Sequence, residues 1–188
     1  MKNELLIRIY QQPQTVFNLA EVAMLAKDVS YSSLRRRLFY AVAQKRLWRP
    51  RRGIYAKKDF LPEELANKIY TPSYLSLQTI LRRAGIIFQE YKPLFLVSYL
   101  TRTITCQDIE ICYQAMPREI LLNSAGIIYD GHYAMAIPER AFLDFVFLHG
   151  NYHFDNLSSL DWDKVFDLVK IYHSPKLEEE VHKYADTR

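Results

Sequence analysis

Glycine and cysteine are scarce in this 188-residue sequence, with five of the first and two of the second. Two cysteines, Cys106 and Cys112, cannot form a disulfide framework in a chain of this size, which predicts small apolar thiols in a reducing cytoplasm. Five glycines form no phosphate-cradling loop, and neither serine nor cysteine sits in a recognisable nucleophile motif. No uncharged apolar run approaches the roughly eighteen residues that a transmembrane helix needs, so no membrane span is expected. The start, Met1-Lys2-Asn3-Glu4, carries an acid and is unlike a secretory signal. His149 and His153 are four apart, but Gly150-Asn151 interrupts the helix that would align them on a metal, so neither metal nor cofactor is expected.

What is present is charge, unevenly placed. Residues 1–60 hold thirteen lysines and arginines against four acids, a net +9, while residues 61–188 hold twelve against seventeen, a net −5. Such asymmetry suggests a basic module of residues 1–60 made for a polyanion, followed by a separate domain of residues 61–188. A membrane surface also attracts cations, but it needs an amphipathic helix with large exposed apolar residues, and the periodicity argues against one.

Leu5, Leu6 and Ile9 fall at helical spacing in a short first helix from Glu4 to Tyr10. After the break at Gln11-Gln12-Pro13-Gln14, Asn18 caps a second helix with Glu21 in capping-box position and a buried stripe of Leu19, Val22, Ala23 and Ala26. Lys27-Asp28-Val29-Ser30 reads as a turn. Ser30, Ser32 or Ser33 then caps a third helix to about Lys45, with Leu34, Leu38, Ala41 and Val42 facing the core. Ser33, Arg36, Arg37, Tyr40 and Gln44 fall opposite. Lys45 to Arg49 reads as a strand, Pro50-Arg51-Arg52-Gly53 as a turn, and Ile54-Tyr55-Ala56 as the returning strand.

Two helices followed by a basic hairpin form the pattern of a winged helix-turn-helix, in which the second helix of the pair enters the major groove. Tyr31, Ser32, Ser33, Arg36, Arg37 and Tyr40 are therefore the expected DNA-facing residues of the helix. Arginine suits a guanine edge, and serine a phosphate or a base. Arg49, Arg51, Arg52 and Lys57 would flank the duplex, meeting phosphates or entering the adjacent minor groove. The bland alternatives are a solvated arginine face and a small α/β module that binds protein.

Beyond residue 60, helices are predicted over Pro62–Ile69 and Ser76–Ala84. Extended segments follow at Pro93–Tyr99, Thr101–Thr105 and Asp108–Met116, with a hairpin turning at Asp130-Gly131. Helices return over Glu139–His149, Asp161–Tyr172 and Pro175–Tyr184. The fold class is α+β: a winged helix-turn-helix, then a small antiparallel sheet packed by helices.

Three stretches carry a family resemblance. Thr71-Pro72-Ser73-Tyr74-Leu75-Ser76, continuing to Ile87, resembles a segment of AbiEi-type antitoxins, and Ala136-Ile137-Pro138-Glu139-Arg140-Ala141-Phe142-Leu143-Asp144 is similar to one of their helix starts. Leu47 to Ala56, with Arg52-Gly53-Ile54-Tyr55, resembles their wing. The pieces occur in the family's order across about residues 5–150. The resemblance implies a non-enzymatic type IV toxin–antitoxin component, a DNA-binding autorepressor at repeated half-sites of its own operon promoter. The implied toxin is nucleotidyltransferase-like, with direct binding left open. The third helix is denser in arginine than the family leads one to expect. A regulator that kept the fold without a toxin would read the same.

Two other functions compete. A metal-dependent nuclease needs clustered carboxylates and usually a lysine; Asp108, Glu110 and Asp130 are its candidates, but no lysine follows at short spacing. A protein-binding adaptor would use exposed polar positions such as Gln107, Glu110, Gln114 and Arg118, which equally suit a solvated surface.

Overall fold

Asn18 opens a helix as its neighbours predict: the Glu21 amide donates to Asn18 Oδ1 at 2.9 Å, and the Asn18 amide donates to Glu21 Oε2 at 2.8 Å. This is the reciprocal capping box. The computed structural model describes residues 4–26 and 29–186, so Lys27 and Asp28 of the expected turn lie outside the described residues. The chain mixes α and β structure and divides into two units, Met1–Ile69 and Tyr70–Arg188.

The first unit runs α1 (Glu4–Gln11), β1 (Val16–Asn18), α2 (Leu19–Leu25), α3 (Tyr31–Ala43), β2 (Trp48–Arg51), β3 (Ile54–Ala56) and α4 (Pro62–Ile69). Leu34, Leu38 and Ala41 of α3 are buried in one core with Leu5, Ile9, Phe17, Val22 and Tyr55. Their spacing turns one face of α3 inward. β3 is the middle strand, antiparallel to both neighbours, with Val16 opposite Ala56 on one side and Arg51 opposite Ile54 on the other. β1 has no expectation behind it in the sequence, and β2 starts at Trp48 rather than Lys45. Pro50 lies within β2, an edge strand, where a missing amide is tolerated.

α3 ends without a glycine. Lys45 adopts a left-handed backbone, φ 56°, and the amides of Arg46 and Leu47 reach the Ala41 carbonyl at 2.9 and 3.3 Å. These bonds satisfy carbonyls that a helix end otherwise leaves open. The Tyr10 hydroxyl donates to the Arg46 carbonyl at 2.6 Å and pins the same corner from α1.

α4 belongs with this first unit, although its sequence reads as the opening of the second domain. Its Glu64 is fully buried. It accepts from the Thr15 amide at 2.9 Å, the Thr15 hydroxyl at 2.6 Å and the Val16 amide at 3.2 Å. Thr15 in turn accepts from the Leu61 amide through its hydroxyl, and from the Lys57 amide through its carbonyl.

The second unit holds β4 (Ser73–Leu75), α5 (Leu77–Arg83), β5 (Leu94–Ser98), β6 (Arg102–Cys106), β7 (Ile109–Ala115), α6 (Arg118–Leu122), β8 (Ile127–Tyr129), β9 (Ala134–Ala136), α7 (Pro138–His149), α8 (Trp162–Val169) and α9 (Pro175–Asp186). Its sheet has six strands in the order β6-β7-β5-β4-β9-β8. The pairs β4–β5, β6–β7 and β8–β9 are antiparallel, the last as the Asp130-Gly131 turn predicts. The expected small antiparallel sheet is otherwise corrected: β5 runs parallel to β7, from Leu94 opposite Ile111 to Ser98 opposite Ala115, and β4 runs parallel to β9. Hairpin partners announce themselves through local turns, whereas a parallel partner is chosen by which faces must be buried together. Leu96, Val97, Ile111 and Tyr113 are all buried at that β5–β7 seam.

α7 is the second unit's inner helix, buried without interruption from Glu139 to Val146. Phe142 packs edge-on against Trp162 of α8 and Tyr184 of α9, with centroids 6.0 and 5.5 Å apart.

Candidate functional site

Between Val29 and Lys58 the sequence has ten lysines and arginines and no acid. α3, its C-terminal corner and the β2–β3 hairpin occupy that stretch, so the topology gathers the charge onto consecutive elements of one unit. With Leu34, Leu38 and Ala41 turned inward, helical geometry places Ser32, Arg36, Phe39, Tyr40 and Ala43 on the outer side of α3. All five are exposed.

The predicted residues separate into three groups. Tyr31, Ser32, Arg36 and Tyr40 are exposed on α3, Arg36 and Tyr40 as the spacing predicts. Ser33 is half-buried at the flank, and Arg37 is exposed at that same flank, where it joins Arg36 and Arg46 along a groove of about 800 Å³ floored by Leu5, Leu6 and Leu38. On the hairpin, Arg49 and Arg52 are exposed and Arg51 is half-buried. Arg36, Arg37, Arg49 and Arg52 make no ion pair among the described residues.

Lys57 is different. Its Nζ donates to the Gln12 carbonyl at 2.5 Å and lies 5.9 Å from the Tyr10 and Phe17 ring centroids. Burial holds its pKa below the ordinary lysine value, against the opposing pull of Glu64. The ammonium therefore ties the hairpin's exit to the α1–β1 connection within the first unit.

Two exposed aromatic residues escaped the sequence reading. Phe39 is 66% exposed and meets Tyr40 edge-on at 5.8 Å, and Trp48 at the start of β2 is also exposed. The signal for Phe39 was available, since an aromatic residue off the apolar stripe of a helix must face outward. Arg35, also left out, places its guanidinium 5.9 Å above the Tyr31 ring.

In the second unit the two stretches that carry the family resemblance meet in one buried network. Arg140 and Asp144 are both fully buried, with Nε 3.3 Å from Oδ1. The Tyr74, Ser76 and Tyr172 hydroxyls donate to Asp144 at 3.2, 2.7 and 2.7 Å. Arg140 also donates to the Ile120 and Ala125 carbonyls, each at 2.8 Å. Burial pushes the Asp144 carboxyl up, while Arg140 and the three hydroxyls pull it down. Tyr74, Ser76, Arg140, Asp144 and Tyr172 are all buried.

No protein-family profile matches this chain, and no curated protein does. The nuclease carboxylates do not converge: Asp108 and Glu110 are exposed around the β6–β7 turn, while Asp130 accepts from the His132 and Tyr133 amides in the β8–β9 turn. Among the described residues no group of three His, Cys, Asp or Glu side chains is arranged to hold a metal. No helix is long and apolar enough to cross a membrane.

Proposed function

We propose that the chain binds double-stranded DNA through a winged helix-turn-helix in its first unit and acts as an autorepressor and antitoxin of the AbiEi type. In this reading α2 and α3 are the helix-turn-helix and β2–β3 the wing. The carrying observation is the acid-free stretch with eight bases on α3, its C-terminal corner and the hairpin, with Arg36 on the outer side of α3. A duplex presents one phosphate charge per about 1.7 Å, so such a surface gains affinity by releasing counterions. Arg36 and Ser32 would read base edges, with Arg37 and Ser33 at the flank of the reading face. Arg49 and Arg52 would meet phosphates beside it.

Lys57 leaves the set of phosphate contacts in this reading because its ammonium is held by a backbone carbonyl. The antitoxin role is supported by the resemblance of Leu47–Ala56, Thr71–Ile87 and Ala136–Asp144 to AbiEi-type segments. The buried network gives the residues of the latter two stretches a shared structural duty. The partner would be a nucleotidyltransferase-like toxin encoded beside this chain, countered with or without direct contact.

Arg36→Ala should lose about 1–3 kcal/mol on the preferred duplex and little on a scrambled one, whereas Arg52→Ala should weaken both alike. Competition binding with the two duplexes measures this. Equal losses on both duplexes for Arg36→Ala would refute the base-reading assignment. For the antitoxin role, co-expression with the neighbouring toxin gene should restore growth, and failure to do so leaves a regulator without a toxin.

A further inference from the structure

The outer side of α3 carries one residue that the charge argument does not explain. Phe39 lies three residues from Arg36 and is mostly exposed, its ring braced edge-on by Tyr40. Residues three apart on a helix sit about 5–6 Å apart at their Cβ atoms, so whatever Arg36 reaches, Phe39 reaches within a base pair or two. A phenylalanine offers no hydrogen bond. In the major groove the apolar group on an unmodified base edge is the thymine 5-methyl.

Resting on the DNA-binding reading above, we infer that Phe39 is a specificity-determining residue that packs on a thymine methyl within two base pairs of the guanine read by Arg36. Charge selects the occupant of this face. A second copy of the chain docked face to face would set the Arg35-Arg36-Arg37 run of one copy against that of the other, with no acid between Val29 and Lys58 to offset the charge. A polyanion meets the same arginines with opposite charge. Tyr40 is a poorer candidate for the methyl, since its hydroxyl favours a polar partner.

The contact is worth about one buried methyl group, or about fourfold in affinity. The test starts from the duplex that the full chain selects out of a randomised pool, with each thymine replaced in turn by uracil, which lacks only that methyl. At fixed salt, fluorescence anisotropy should show about fourfold weaker binding for uracil at one position per bound protomer. Phe39→Ala should bind the thymine and uracil duplexes alike, at the weaker level. Phe39→Leu, which keeps an apolar side chain, should retain most of the difference, while Arg52→Ala should retain all of it.

Equal wild-type affinity for thymine and uracil at every position would overturn this inference and leave the DNA-binding reading standing. So would a full thymine–uracil difference in Phe39→Ala. Failure to select any duplex overturns both. Phe39-dependent binding to phosphatidylserine vesicles, with no thymine–uracil difference, would assign the face to a membrane instead and overturn the inference.

Discussion

Replacing Arg140 by methionine should remove about 3–5 kcal/mol from the second unit, because Asp144 is left as an uncompensated charge in a fully buried site. The same change strips donors from the Ile120 and Ala125 carbonyls and from the Tyr74 hydroxyl. For a unit of 119 residues, an unfolding entropy of about 2.1 cal/mol/K per residue converts that loss to a Tm fall of roughly 12–20 °C. The two tryptophans make the assay clean, since Trp48 lies in the first unit and Trp162 is buried in the second. In a Trp48→Phe background, fluorescence melting reports Trp162 alone. Removing both charges at once, Arg140→Met with Asp144→Leu, should recover more than half the loss, because no buried ion remains. A single-variant loss below about 1 kcal/mol, or a double variant as unstable as the single, would refute the reasoning.

Three further outcomes follow from particular contacts. Gly126→Ala should destabilise by about 1–3 kcal/mol in urea unfolding, since its φ is 73° and a Cβ would lie 2.9 Å from the Arg140 Cβ. Glu64→Gln should cost the first unit about 1–3 kcal/mol by Trp48 fluorescence, because an amide cannot accept from Thr15 and Val16 on both sides as the carboxylate does. Burial holds His149 below its ordinary pKa of 6.5. A depressed native pKa means that the unfolded chain takes up the proton first, so stability is full above about pH 6.5 and declines as pH falls toward the native value. Urea midpoints at pH 7.5 and 5.5 should show a smaller difference in His149→Gln than in the wild type, and an unchanged difference would contradict the assignment.

What could be read in the sequence was local. The Asn18–Glu21 capping box, the inward stripe of α3 and the Asp130-Gly131 turn each rest on residues within one or two turns of one another, and the structure has them where the spacing predicts. The misses are non-local. β1 is three residues long, too short for alternation, and is fixed by pairing with β3 forty residues on. Thr71-Pro72-Ser73-Tyr74 reads as a helix break, and only β5 and β9 make Ser73–Leu75 a strand. α3 stops before Lys45 through backbone bonds to Ala41 rather than through a glycine that composition would reveal. In the candidate site, exposure of Arg36 followed from the helix period, whereas Lys57 looked identical to its neighbours until the Gln12 carbonyl was seen to hold it.

On the proposed reading, the acid-free surface of α3 and the hairpin binds duplex DNA selectively. The direct measurement is the affinity of the whole chain for a duplex from upstream of its own gene and for a scrambled duplex, at 50 and at 200 mM salt. The two phosphate contacts of Arg49 and Arg52 predict a loss of about tenfold between those salts, with the upstream duplex preferred at both. No binding to either duplex at the lower salt would contradict the account.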